Sequence, residues 1–187
     1  METKNRSLLY NADDVAAAIT RLTGVIAREF SGAALSELAF LGIQSKGAHL
    51  AQRLADEIAK THAVRPLCGS LDISMYRDDI GLRKTLPVIK ETSIPFDVNE
   101  RSIVLVDDVL STGRTIRAAL DAITDYGRPH LIRLAVMVDR GGQEFPIKAD
   151  YIGFSTSVEP DKRVIVTLKG CDDDSDAVYV GSIVSQT

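Results

Sequence analysis

Two hydrophobic patterns alternate along the chain: apolar residues three to four apart, and short unbroken apolar runs. Val15, Ile19, Leu22, Ile26 and Phe30 recur at helical spacing behind Asn11, a suitable N-cap, and predict a first helix through about Glu29. Leu38 to Leu41 is a short apolar run that stops at Gly42 and reads as a buried strand. A helix is expected over Ala48 to Ala59 and a strand over Pro66 to Met75. The pattern is lost from Tyr76 to Val98, a polar stretch interrupted by Gly81, Pro87 and Pro95. Such a long connection inside a folded domain is usually functional or mobile, and the stretch is read as a flexible loop.

Ile103-Val104-Leu105-Val106 is dominated by β-branched residues, as in a strand buried on both faces. The helix that follows opens at Arg114-Thr115 and carries Ile116, Ala119, Leu120 and Ile123 as its apolar positions. Leu131 to Val138 is another buried strand, Tyr151 to Phe154 and Val164 to Leu168 are shorter ones, and Ala177 to Val180 is expected at a sheet edge. Alternating strand and helix predict an α/β fold with a central, mostly parallel sheet flanked by helices. No repeat, low-complexity tract or Gly/Ser linker divides the 187 residues, so 1–187 is read as one domain.

Composition narrows the class. Apolar residues at 45% and charged residues at 26% suit a soluble globular protein. No apolar run reaches membrane-spanning length, and METKNRSLLY has no hydrophobic signal core, so cytoplasmic residence without membrane attachment is expected. Cys68 and Cys171 lie far apart with no C-x-x-C partner, which argues for a buried small residue and a surface thiol rather than a zinc site or disulfide. The net charge of −4 argues against a surface that is basic throughout, while leaving room for a local basic patch. Asp172-Asp173-Asp174 lacks the spacing and terminal Glu of a calcium loop and reads as a solvated turn.

The chemistry is concentrated in Arg101 to Ala122, RSIVLVDDVLSTGRTIRAALDA. The buried strand stops at Asp107 and Asp108, a hydroxyl-rich loop Ser111-Thr112-Gly113 follows, and a helix begins. Free N–H groups and hydroxyls at a helix start hold a phosphate, and adjacent carboxylates suit ribose hydroxyls and a divalent cation. An apolar run followed by Asp-Asp also describes a Walker-B strand or the acidic pocket of a receiver domain. A Walker B needs a P-loop, and the nearest approach, Gly42-Ile43-Gln44-Ser45-Lys46-Gly47, is followed by Ala48-His49 rather than the required Lys and hydroxyl. A receiver would set its acids on separate strand ends, without the Ser-Thr-Gly-Arg-Thr seen here.

Val104 through Thr115, VLVDDVLSTGRT, resembles the PRPP-binding signature of type I phosphoribosyltransferases. The flanks Leu71 to Asp79, Gly127 to Pro129, Leu134 to Gly141 and Phe145 to Gly153 are similar to the PyrR family, pyrimidine operon regulators that are also uracil phosphoribosyltransferases. The resemblance implies the type I fold with a small hood over the sheet, and conversion of uracil and PRPP to UMP and pyrophosphate with Mg2+. It implies that Asp107 and Asp108 act as ribose ligands and electrostatic stabilisers, and as metal ligands mainly through PRPP and water. Val109, Leu110, Ser111, Thr112, Gly113, Arg114 and Thr115 would hold the 5′-phosphate. Ser45-Lys46-Gly47, where relatives often carry Thr-Arg-Gly, would form the pyrophosphate loop; Lys for Arg loses the bidentate fork. Arg77 would reach the pyrophosphate from the loop of residues 76–98 and help exclude water. Val138, Asp139, Arg140 and Val164 would line the base pocket.

The same resemblance implies RNA binding to a pyr leader mRNA and assembly as a homodimer or homotetramer. Thr20 and Arg21 fit the RNA-facing side of the first helix. Gly24 and Glu29 stand where RNA-binding members tend to have His and Arg, and Gly142-Gln143 replace a His-Arg pair. Fewer cations mean fewer neutralised phosphates and weaker, more salt-sensitive binding; Arg28, Arg133, Lys148, Lys162 and Arg163 are the residues that could compensate. Two other readings stay open: an RNA-binding attenuator with vestigial catalysis, and a purine phosphoribosyltransferase.

Overall fold

The structure, a computed structural model, describes residues 6–78 and 90–182. In chain order the elements are β1 (Arg6–Tyr10), α1 (Ala12–Glu29), α2 (Ala33–Ser36), β2 (Ala39–Ile43), α3 (Lys46–Thr61) and β3 (Leu67–Leu71). They are followed by β4 (Ser102–Leu110), α4 (Arg114–Thr124), β5 (Leu131–Asp139), β6 (Tyr151–Ser155), β7 (Lys162–Thr167) and β8 (Ala177–Ser182). Strands β3-β2-β4-β5-β6 form a five-stranded sheet in which every neighbouring pair is parallel. Strands β1-β8-β7 form a separate antiparallel sheet, the hood.

The two faces of the parallel sheet are covered by different helices, as a sheet of this kind requires. Val104 and Val106 of β4 join Val15, Ile19 and Leu22 of α1 and Leu50 and Leu54 of α3 in one buried cluster. Ile103 and Leu105 point the other way, onto Ile116, Ala119 and Ile123 of α4. Capping fixes where α1 begins. Asn11 Oδ1 accepts from the N–H groups of Asp13 and Asp14 at 2.9 and 3.0 Å, and Asp14 reaches back to the Asn11 N–H at 3.0 Å.

Several expected boundaries move. The helix expected over Ala48 to Ala59 starts at Lys46 and runs to Thr61. The strand expected to reach Met75 stops at Leu71, because the Asp72 carboxylate accepts from Ser74 N–H at 2.8 Å and turns the chain. The central strand continues past Val106 to Leu110, so Asp107 and Asp108 sit on the strand rather than beyond it. β8 lies in the middle of the hood, not at an edge, because β1 pairs with its far side. Of the connection read as a flexible loop, residues 79–89 lie outside the described residues. Its flanks are anchored: Ser93 exchanges backbone hydrogen bonds with Ser70, and the Asp72 carboxylate accepts from the Lys90 N–H. Among the described residues no helix is long and apolar enough to cross a membrane.

Candidate active site

In the parallel sheet the chain turns from β2 outward to β3 on one side and to β4 on the other. The crevice between the carboxyl ends of β2 and β4 is therefore the place where an open α/β sheet receives ligands. Both of its helices start without a side-chain cap: α3 at Ser45 and α4 at Gly113. Two helix N-termini with uncapped N–H groups thus flank one crevice, a favourable setting for anions.

The two loops are held close by glycines. A Cβ on Gly47 would lie 2.3 Å from the Val106 carbonyl oxygen and 3.2 Å from Asp107 Cα, so the start of α3 rests directly on β4. Gly113 has φ +90°, and a Cβ there would meet the Phe145 side chain at 3.2 Å. The segment after β5 covers this second loop, with Glu144 and Phe145 N–H groups donating to the Thr112 carbonyl at 2.9 and 3.1 Å. The Gln44–Ser45 peptide is cis.

Between the loops lie the carboxylates. Asp107 is buried, and burial, followed by the neighbouring Asp108 charge, pushes its carboxyl well above the usual range. Arg77 acts against that shift. Burial also raises Asp108, opposed chiefly by Lys46, whose Nζ lies 3.8 Å from Asp108 Oδ2. Lys46 is shared with the hood: Nζ sits 3.0 Å from Asp172 Oδ2 and donates to the Val166 carbonyl. Asp172 lies in an exposed turn, as expected, but it also has a structural role: its other oxygen accepts the Leu168 N–H at 2.9 Å, and its Oδ2 meets Lys46. Asp173 and Asp174 are exposed. A cavity of about 400 Å³ is lined by Gln44, Ser45, Lys46, Lys90, Asp107, Asp108, Cys171 and Asp172. Lys90, whose Nζ donates to Ser45 Oγ, carries no motif and is invisible in the sequence pattern.

Other singled-out residues are distributed around this centre. Arg77 donates to Thr115 Oγ1 at 3.3 Å, which places it over the start of α4. Arg114 turns outward, donating to Asp78 at 2.6 Å and to Glu144 at 2.7 and 3.1 Å, with its guanidinium 5.3 Å from the Phe145 ring. Its backbone N–H donates to Thr112 Oγ1 at 3.4 Å, within the loop. Leu110 is buried, and its carbonyl accepts the Arg140 N–H at 3.0 Å, while Val109 pairs with Val138 across the sheet. Val138 and Val164 belong to one buried cluster, against which Val109 packs, so the far wall is apolar. Asp139 accepts from Gly141 N–H at 2.9 Å and Gln143 Nε2 at 2.8 Å, and Arg140 Nε is buried without a hydrogen-bond partner among the described residues.

Thr20 and Arg21 lie apart from the crevice. Thr20 Oγ1 donates to Glu57 at 3.3 Å; Arg21 donates to the Gly153 carbonyl and lies 5.9 Å from the Phe154 ring. Glu29 holds Arg133 at 2.9 Å and the Tyr151 hydroxyl at 2.6 Å, bonds that keep its carboxyl below the usual range. Lys162 pairs with Glu159 at 2.7 Å. Cys68 is half-buried, and burial raises its thiol; Cys171 is exposed.

The phosphoribosyl transferase domain model matches residues 6–173. The chain is 47% identical to the bifunctional protein PyrR of Roseiflexus sp. (strain RS-1), over 92% of this chain and 93% of that one. The chain belongs to the PyrR family. The Deinococcus radiodurans bifunctional protein PyrR is 43% identical, over 91% of this PyrR-family chain and 92% of the relative. Among solved structures, a Trypanosoma cruzi hypoxanthine phosphoribosyltransferase superimposes with a TM-score of 0.72 at 15% identity, covering 93% of this chain and 94% of that one. A Staphylococcus aureus hypoxanthine phosphoribosyltransferase gives 0.67 at 18% identity, over 95% and 91%. At such identities these two likenesses show that the PyrR-family chain has the type I phosphoribosyltransferase fold, and nothing about its base.

Proposed function

We propose that the chain transfers the 5-phosphoribosyl group of PRPP to uracil, giving UMP and pyrophosphate. The carrying observation is the pair of uncapped helix starts, at Ser45 and Gly113, on either side of the Asp107–Asp108 carboxylates. PRPP has an anion at each end and a ribose between, and this spacing of donors and acids suits that order of groups. The N–H groups and hydroxyls of Ser111, Thr112, Gly113 and Thr115, with the Arg114 N–H, hold the 5′-phosphate. The helix start at Ser45-Lys46-Gly47 holds the pyrophosphate.

As the C1–oxygen bond breaks and the bond from C1 to the base nitrogen forms, positive charge develops on the ribose ring. Negative charge carried by the Asp107–Asp108 pair stabilises it. Arg77 closes over the phosphates and limits water. Val138, Val164 and the backbone around Asp139 and Arg140 receive the base. The donor set also fits Mg2+. No group of three or more His, Cys, Asp or Glu side chains among the described residues could hold a metal ion, and two carboxylates suit a cation that keeps waters and arrives with a diphosphate. Such a cation supplies charge neutralisation to the leaving group.

Turnover of labelled uracil, hypoxanthine and orotate with PRPP tests the reading. Uracil is expected to be the substrate; absence of all three activities refutes a phosphoribosyltransferase, and preference for hypoxanthine moves it to the purine class.

A second role, UMP-dependent binding of a pyr leader mRNA, is what the resemblance to PyrR-family regulators implies for this chain, whose relatives are named bifunctional. The candidate compensating cations speak for weak binding. Arg133 is neutralised by Glu29, Lys162 by Glu159, and Arg28 donates to the Gly24 carbonyl at 3.1 Å. Filter binding to the leader RNA over a salt series, with and without UMP, tests this. Affinity no better than for scrambled RNA removes the role.

A further inference from the structure

The diphosphate half of the crevice holds more charge than the pyrophosphate loop brings to it. Its cavity of about 400 Å³ contains two ammonium groups, Lys46 and Lys90, and three carboxylates, Asp107, Asp108 and Asp172. Lys46 is already committed: one ammonium serves Asp172 at 3.0 Å, Asp108 at 3.8 Å and the Val166 carbonyl. An incoming diphosphate that recruited it would strip a hood carbonyl and two acids of their partner, an exchange with little net gain.

Lys90 lines the same cavity and reaches Ser45. Among the described residues its Nζ has a neutral partner, Ser45 Oγ, rather than a carboxylate. Its main chain is fixed independently, because the N–H donates to Asp72, the acid that also accepts from Ser74 N–H at 2.8 Å and Ser74 Oγ at 2.6 Å. The neighbouring Glu91 carbonyl accepts from Gln44 Nε2 at 3.2 Å, so this segment is tied to the turn that starts α3. The two ammoniums converge on one place. Burial and then Asp172 raise the Cys171 thiol, and Lys46 and Lys90 both act to lower it.

We propose that Lys90 is a ligand of the diphosphate of PRPP and of product pyrophosphate, supplying the charge that Lys46 spends on the hood. This rests on the phosphoribosyl-transfer reading above. In it Lys46 contributes its backbone N–H and fixes the hood, Ser45 Oγ passes from Lys90 to the diphosphate, and Lys90 follows the same anion. A side chain with a pre-placed backbone and a weak neutral partner has little to give up on binding.

The test compares Lys90→Gln and Lys90→Arg with the wild-type chain. The Kd values of PRPP with Mg2+, of pyrophosphate with Mg2+, and of UMP are measured by calorimetry, alongside KM and kcat. Loss of one charge-assisted bond predicts a weakening of PRPP and pyrophosphate by about 10- to 100-fold in Lys90→Gln. UMP, which has no diphosphate, is expected to keep its Kd within about 2-fold, and Lys90→Arg to restore most of the loss. Unchanged PRPP and pyrophosphate affinity in Lys90→Gln overturns the proposal while leaving the transferase reading standing. Equal weakening of PRPP and UMP with a lower Tm also overturns it, since that is the signature of a purely structural lysine. A wild-type chain that binds neither PRPP nor pyrophosphate overturns both readings.

Discussion

Replacing Arg53 with Met tests how the hood is fastened to the sheet. Arg53, on α3, donates from Nη1 and Nη2 to Asp176 at 2.8 and 2.7 Å, and the Lys169 N–H adds a bond of 2.8 Å to the same carboxylate. The Asp176 side chain is 10% exposed and the Arg53 side chain 27% exposed. Removing one partner of a buried pair costs about 3–5 kcal/mol, most of it for the charge left behind. Water reaches Arg53 and keeps part of that screening, so about 2–3 kcal/mol is expected here, with Met preserving the packing of the stem. For a chain of 187 residues the unfolding entropy near the midpoint is roughly 0.4 kcal/mol per kelvin, which makes the Tm shift about 5–8 °C.

The pH dependence gives the prediction its sign. Burial raises the Asp176 carboxyl, but the Arg53 hydrogen bonds and the Lys169 N–H outweigh it and hold the group below its ordinary value. A depressed carboxylate stabilises the fold fully above the unfolded pKa of about 4 and loses that contribution as pH falls through the folded pKa. Without Arg53, burial dominates and the variant's Asp176 titrates higher. The Tm gap between wild type and Arg53→Met is therefore widest near neutral pH and narrows as the pH approaches about 4. Scanning calorimetry at a series of pH values checks this, with Arg53→Met/Asp176→Asn as control. The double variant is expected to be more stable than Arg53→Met alone, because no unpaired charge remains. A gap that stays constant with pH, or a double variant less stable than the single, refutes the reasoning.

Other expectations concern the crevice. Gly47→Ala drives a Cβ into the Val106 carbonyl and lifts the pyrophosphate loop off β4; kcat/KM for PRPP is expected to fall about 100-fold, and near-wild-type kinetics would show that the loop can move aside. Arg77→Ala removes a cation that faces Asp107 and Thr115, so turnover of PRPP should drop by about 100-fold with UMP binding mostly intact; unchanged uracil-dependent turnover rules out a catalytic part for Arg77.

Legibility in the sequence followed locality. The stretch from β4 into α4 could be read because its signals are contiguous: a β-branched run, paired acids, then hydroxyls with a glycine before a helix. The start of α1 was equally clear, since Asn11 and Asp14 form the capping box within four residues. Chain-distant partnerships left no trace. Asp172 is an acid of an exposed turn, as its sequence context indicates, but its ion pair with Lys46 has no periodicity to announce it. β1 has no signal of its own in the sequence, because most of its residues are exposed and its order comes from pairing with β8. Lys90 sat inside a polar stretch where nothing local distinguishes a ligand from a solvated lysine.

That pairing of β1 with β8 has a consequence for how the molecule is made. Arg6 lies opposite Gly181, so the earliest strand waits for the latest one before the hood can close. The strands that bound the crevice, β2 and β4, precede in the chain the Asp172 partner of Lys46 and the Val164 wall carried by β7. The same adjacency makes the ends of the hood a natural place to join and reopen the chain: a circular permutant linked across β1 and β8 should keep its sheet order and its crevice.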